Sequence, residues 1–193
     1  MNIFEKAIGH TKTILQHKYE VGKLCVKCGL YGAAITHDLS KFSPTEYLQG
    51  VRYFTGTKSP HYLEREVTGV SQAWMHHRGR NKHHAEYWHD ISVEKGIDVP
   101  VDMPARYLIE MLCDRIGACK VYLKDKFTAS SPLEYYESHK DENEFSDVTA
   151  YRLHTLLKLY AEIGEERFCS EIRSKKGDIA LIIKNRTQGV YDV

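Results

Sequence analysis

Histidines and acids recur along this chain in a telling order: His17, His37-Asp38, His76-His77, His83-His84 and Asp114, from a total of eleven histidines. Neutral imidazole together with carboxylate is the donor set that favours borderline transition ions over calcium or magnesium alone. The stretch AAITHDLSKFSPTEY (33–47) delivers a histidine and an aspartate side by side at the end of a small apolar run. On a regular helix these neighbours would point about 100° apart. Either they converge on something held between elements, for which a metal ion is the obvious candidate, or Asp38 merely ends a helix and His37 is an ordinary polar residue. Asp114 poses a similar question inside IEMLCDRIGA, because a buried carboxylate is costly without a partner. Glu110 lies one turn earlier on the same face. Two carboxylates at i and i+4 repel unless a cation sits between them or one turns away.

These residues need helices to position them. Residues 2–28 place Ile3, Ala7, Ile14, Val21, Leu24 and Cys28 near a 3.6-residue period, with Gly29 as C-cap. Residues 30–38 read as a short buried helix. Ser43-Pro44-Thr45-Glu46 is a capping box with proline at N1, opening a helix to about Phe54, and Ser131-Pro132-Leu133-Glu134 repeats the device. A helix over 62–78 ends in AWMHHR, and Gly79 and Asn81 break the pattern after it. Pro104 suits the first turn of a long helix, with Asp102 or Met103 at its N-cap. Gly117 and Ala118 would let another helix approach it closely. Residues 147–163 form a further helix, whereas IALII (179–183) fits a strand or a short helix. The expected architecture is all-α, one domain over 1–193, with six to eight helices.

The order H…HD…D, carried by His17, HDLSK and DRIGA, resembles the HD-domain superfamily of metal-dependent phosphohydrolases. The blocks HDLSKF, AWMHHRGRNKHHAEYW and MPARYLIEMLCDRIGA also resemble a bacterial and phage HD-like family of unknown function. The likeness is strongest over 10–125, leaving 131–193 as a helical C-terminal extension. It implies an HD-like bundle in which His17, His37, Asp38 and Asp114 hold a divalent metal, with His10 as the rival of His17 on the same face. Ser40 stands where many members have glycine. Members with extra histidines between the HD pair and the last aspartate often hold two metals. The resemblance thus implies ligands in HHRGRNKHH: His77 and His84 are the choice, His83 comes next with a catalytic role as its alternative, and His76 is the spectator. A helix or a folded-back loop could present them.

The implied activity is hydrolysis of a phosphate mono- or diester, with a small nucleotide as the expected substrate. One or two ions of Mn, Fe, Co, Ni or Zn would acidify a water from a pKa of 15.7 towards about 7, and Asp38, with two oxygens, is the natural bridge. Lys41 and the basic loop residues Arg78, Arg80 and Lys82 would offset phosphoryl charge. Glu110 and Glu46 are candidates for acid–base work or for orienting ligands. Tyr87 and Trp88 read as core packing more readily than as a base-stacking platform. The alternatives are an HD-type diiron oxygenase and a non-catalytic protein that binds a nucleotide or a partner.

Composition narrows the field further. The 27 Lys+Arg balance 26 Asp+Glu, so no global field recruits extended nucleic acid or a membrane surface. No run approaches a membrane span, and the charged N-terminus lacks the apolar stretch of a signal peptide, which reads as cytoplasmic. A homo-oligomer is compatible with everything in the sequence. Five cysteines, including the lone Cys25-Val-Lys-Cys28, read as reduced structural thiols with no further metal-spaced partners.

Overall fold

The computed structural model describes residues 1–139 and 145–188, the side chains of 185–188 excepted. Parts of the predicted C-terminal extension, 140–144 and 189–193, lie outside the described residues.

Helix α1 (Ile3–Lys27) begins at a capping box in which Asn2 Oδ1 accepts from the Glu5 N–H and Glu5 Oε2 accepts from the Asn2 N–H. Its buried face carries His10, Ile14, His17, Val21, Leu24 and Cys25, so two histidines share the stripe that faces the core. Gly29, at φ 83°, ends the helix in the left-handed conformation glycine favours. Helix α2 (Tyr31–Thr36) follows. Against expectation it is mostly exposed, with only Ala33 buried, because it lies along α1 rather than inside the bundle. Helix α3 (Pro44–Tyr53) starts as predicted at Ser43, whose Oγ accepts from the Glu46 N–H. The reciprocal half of that capping box is missing, because the Glu46 carboxylate turns inward to His76 and His77.

The expected helix 62–78 is two helices, α4 (Pro60–Thr68) and α5 (Gln72–Arg78). Gly69 at φ 81° stops the first, and Ser71 caps the second by accepting from the Trp74 N–H. A short antiparallel hairpin, β1 (His89–Ile91) with β2 (Asp98–Pro100), pairs Asp90 with Val99 and has no counterpart in the sequence reading. Helix α6 (Ala105–Leu123) takes Pro104 as its N-cap rather than Asp102 or Met103; the Met103 N–H donates to Thr149 and Asp102 accepts from Ser146. Then come α7 (Ser131–His139), α8 (Asp147–Ser174) and α9 (Ile179–Gln188). Residues 179–183 are therefore helical, and α8 outruns the predicted 147–163 by continuing past a break at Gly164 (φ 74°, ψ 171°). Nine α-helices among the described residues exceed the expected six to eight, since the Gly69 break divides one helix and 179–183 adds another.

The all-α assignment stands, around one hydrophobic core. Helices α1, α6 and α8 supply Val21, Leu24, Leu112, Ile116, Leu156 and Phe168, all essentially inaccessible. Each such aliphatic side chain stabilises the fold by about 1.5–3 kcal/mol through burial. The closest approach of α1 and α6 falls at Gly117, where a Cβ would stand 2.6 Å from Val21 Cγ2. This crossing sets the register that brings His17, one turn before Val21, opposite Asp114. No helix among the described residues is long and apolar enough to cross a membrane.

Candidate metal centre

The backbone resolves how two adjacent side chains reach one place. His37 leaves α2 in extended geometry (φ −50°, ψ 126°), and Asp38 adopts the left-handed conformation (φ 55°, ψ 25°) before a 3-10 turn over Leu39–Phe42. That conformation costs a non-glycine residue roughly 1–2 kcal/mol, least for Asp and Asn. Lys18 from α1 fastens the corner by donating to the carbonyls of Ile35 and His37, each at 2.7 Å. With helical geometry abandoned at both residues, His37 and Asp38 converge on one buried point.

Around that point the donor atoms form two groups that share Asp38: His17, His37, Asp38 and Asp114, and then Asp38, His77, His83 and His84. Within each group the donors lie within 4.8 Å of one another. Asp38 Oδ2 stands 3.6 Å from His17 Nε2 and 3.4 Å from His37 Nε2. Asp38 Oδ1 stands 3.3 Å from both His77 Nε2 and His83 Nε2. One carboxylate thus divides its two oxygens between two sets of imidazoles. Asp114 Oδ1 approaches His17 Nε2 at 2.8 Å and His37 Nε2 at 3.5 Å.

The residues fit a metal on their own chemistry. The Nε2 atoms of His37, His83 and His84 and Asp38 Oδ1 are buried and make no hydrogen bond, while His17 Nε2 and Asp38 Oδ2 have only the ion-pair neighbours Asp114 and Lys41. Orphaned polar atoms of this density are rare in native interiors, and a coordinated ion would satisfy them together. The ring atoms on the other side are already engaged. Glu110 Oε1 accepts from His37 Nδ1 at 3.1 Å and lies 3.3 Å from His83 Nδ1, while Glu46 Oε2 accepts from His77 Nδ1 at 2.7 Å. Carboxylates on the Nδ1 side fix the tautomer that leaves Nε2 free for metal. This answers the Glu110–Asp114 question, because the His37 ring sits between the two acids. Glu110→Gln should lower metal affinity about 10–100-fold with the fold intact. Isothermal titration with Mn(II) checks this, and unchanged affinity would remove Glu110 from the support of the site.

Electrostatics point the same way. Asp38, Asp114, Glu110 and Glu46 crowd a region whose one closely paired lysine is Lys41, 2.6 Å from Asp38 Oδ2. Burial opposes charging of His37 and His83, yet the surrounding carboxylates prevail: Asp38 foremost lifts His37 to about 10, and bonds to Asp38 and Glu110 lift His83 to about 9. Burial also opposes ionisation of Asp38, but Lys41 and then His37 hold it well below the carboxylate range. His84 goes the other way, well below the imidazole range, through burial and the neighbouring His83 and His77. Without metal, therefore, the folded protein keeps protons on His37 and His83 that the unfolded chain sheds near 6.5. Stability from this source is complete below pH 6.5 and disappears as pH rises towards 9–10. Thermal melts in chelator should show a Tm that falls across that window. A flat profile would contradict the assignment.

A cavity of about 590 Å3 reaches the centre, lined by His17, His77, His84 and Asp114 on one side. Its cations are Lys12, Lys41, Lys58 and Lys124, and its rings include Phe54, His61 and Tyr122. Lys41 lines this cavity, whereas Arg78, Arg80 and Lys82, expected to bind phosphate, do not. The Gly79 break carries Arg80 to the surface, and Lys82 turns its ammonium over the rings of Tyr87 and Tyr107. His83 stands in the donor group rather than apart from it, and Glu110 faces the backs of the rings rather than the cavity. His76 stays outside both groups, bonded to Glu46 Oε1 at 2.6 Å. His10 packs over Gly50 on the cavity wall, and burial, then Lys41, lowers its pKa to about 4. Sequence reasoning missed Lys12, Lys58, Lys124 and His61. Lys58 and His61 share the short stretch 58–61, but Lys12 and Lys124 come from distant parts of the chain, so no motif links the four.

Fold and site together define an all-α protein with one core and a buried histidine–carboxylate cluster whose donors could hold metal ions. Residues 6–159 match the family described as Family of unknown function (DUF5662), and the chain belongs to that family. No curated protein and no solved structure matches it.

Proposed function

We propose that this protein is a metal-dependent phosphohydrolase of the HD-domain type, acting on a small phosphate mono- or diester. The observation that carries the reading is the division of the Asp38 oxygens between two imidazole groups at the wall of a lysine-lined cavity. His17, His37 and Asp114 would hold one divalent transition ion, His77, His83 and His84 a second, with Asp38 between them. Such ions supply Lewis acidity, acidifying a water and drawing charge from phosphoryl oxygens.

The chain's own residues do the rest. Lys41, ion-paired with Asp38 at the cavity wall, keeps its ammonium where negative charge would grow on a phosphoryl group. Lys12, Lys58 and Lys124 draw an anion in and hold it. Glu46 and Glu110 keep the rings of His77, His37 and His83 from rotating. His61, held neutral by burial and by Lys41 with a pKa lowered to about 3, offers the cavity a ring without adding charge.

The test is elemental analysis of the purified protein beside a phosphatase and phosphodiesterase panel run with Mn, Co, Ni and Fe. Turnover that requires added metal and fails in Lys41→Met supports the reading. Bound metal with no turnover of any phosphoester would overturn it. Iron at two equivalents with a near-UV absorption band would redirect attention to oxygen chemistry.

A further inference from the structure

Away from the histidine centre, four of the five cysteines meet in the core. Cys25 and Cys28 come from α1, Cys113 from α6 and Cys169 from α8, and all are buried. The sequence reading found no partners for the CxxC because the other two thiols lie far along the chain. The sulfurs of Cys28 and Cys169 stand 3.3 Å apart, and the Cys25 and Cys28 thiols, with burial, raise the Cys113 thiol. The contacts run in a row, and among the described residues no three of these sulfurs converge closely enough for one ion. A disulfide needs about 2.05 Å, so Cys28 and Cys169 could join with a movement of about 1 Å.

Cys28 also has a way out. It borders a cleft of about 460 Å3 whose walls include Gly29, Tyr31, Arg106, Arg173 and Lys176. Arg106 comes from α6, Arg173 from the end of α8 and Lys176 from the loop after it. None of the three pairs with a carboxylate among the described residues. Gly29, left-handed at φ 83°, leaves room for the Arg173 side chain at 3.6 Å from where a Cβ would stand. The cleft that Cys28 borders is therefore positively charged.

We propose that Cys28 and Cys169 form a redox dithiol that exchanges with a small anionic disulfide entering through this cleft. In the first step the Cys28 sulfur attacks one sulfur of the incoming disulfide; the old S–S bond breaks, a mixed disulfide forms on Cys28, and one thiolate leaves. In the second step Cys169 loses its proton and attacks the Cys28 sulfur, expelling the second thiolate. The protein gives up two electrons and two protons, one from the Cys28 thiol in the first step and one from Cys169 in the second, and the two departing thiolates take them up as two thiols. The order of attack has support in the environment: the neighbouring thiols of Cys113 and then Cys169 lower the Cys28 thiol, whereas contact with Cys28 and burial raise Cys169. The bond would lock the end of α1 to α8.

The full chain is incubated with glutathione disulfide, quenched in acid and mapped by mass spectrometry without reduction. The expected product lacks two hydrogens and contains a peptide pair joined through Cys28 and Cys169. Cys169→Ser should stop at a glutathionyl group on Cys28. Arg106→Ala combined with Lys176→Ala should slow the reaction at least about 10-fold with glutathione disulfide and leave the rate with uncharged hydroxyethyl disulfide unchanged. A linkage through Cys113 or Cys25, a folded protein that stays reduced while its urea-unfolded form reacts, or equal slowing with both reagents would each overturn the proposal. The wild-type mapping needs no variant to fold.

Discussion

Asp38→Ala is expected to strip the centre of all bound metal, whereas Asp114→Ala should release only one of two ions. The reason is the division of labour between the Asp38 oxygens, Oδ2 beside His17 and His37 and Oδ1 beside His77 and His83. Asp114 contacts only the first group, so the second keeps Asp38 and its three imidazoles. His84→Ala should give the mirror result. Metal content after dialysis, measured by mass spectrometry, separates the three variants, and full stoichiometry in Asp38→Ala would refute a shared ligand. If the proposed activity is right, phosphoester turnover should fall by about 10²–10³-fold in Asp38→Ala, the scale on which an electrostatic stabiliser acts. Deleting Asp38 also leaves the partly exposed Lys41 ammonium without its carboxylate partner. Asp38→Asn serves as the control, since its amide keeps the shape and tolerates the left-handed backbone. Folded, metal-poor Asp38→Asn would show that the carboxylate charge, not collapse of the corner, was lost.

Gly117→Ile, at a position that supplies no donor atom, should damage both fold and site. Even a Cβ at this position would stand 2.6 Å from Val21 Cγ2 and 3.3 Å from the Val21 backbone nitrogen. The backbone contact leaves no flexible side chain to yield, so α1 and α6 must separate. Overpacking of this kind typically costs 1–3 kcal/mol. The shift would carry His17 away from Asp114, now 2.8 Å apart, and metal affinity should fall with stability. Urea titration and metal binding measured on the same preparation check both. A variant that loses stability but binds metal normally would show that the crossing does not set the site.

What the sequence disclosed depended on distance along the chain. The all-α class was legible because the 3.6-residue stripe of α1 is long and carries its histidine among the apolar positions. The small residue at 117 was legible as a helix crossing for the same reason. The break between α4 and α5 was harder to see. The apolar pattern runs on through Val67 and Val70, and only the left-handed Gly69 interrupts it. Of the site, the first group could be read from the family order and the HD pair. Side-chain direction was not legible: that Glu46 leaves its cap for two histidines, that Lys82 turns to Tyr87 and Tyr107, and that His83 joins the donors beside His77 and His84 can be seen only in the fold. The lysines of the cavity and the partners of the CxxC come together only in three dimensions, where spacing along the chain carries no signal.

Position 38 illustrates how narrowly such a corner constrains its occupant. Glycine enters the left-handed region freely, and asparagine and aspartate do so at the least cost among the rest. Of these, only aspartate carries a charge and two equivalent oxygens. Codon by codon, almost every alternative is therefore rejected twice, by the backbone and by the chemistry, and one amino acid lies where the two sets of permitted residues intersect.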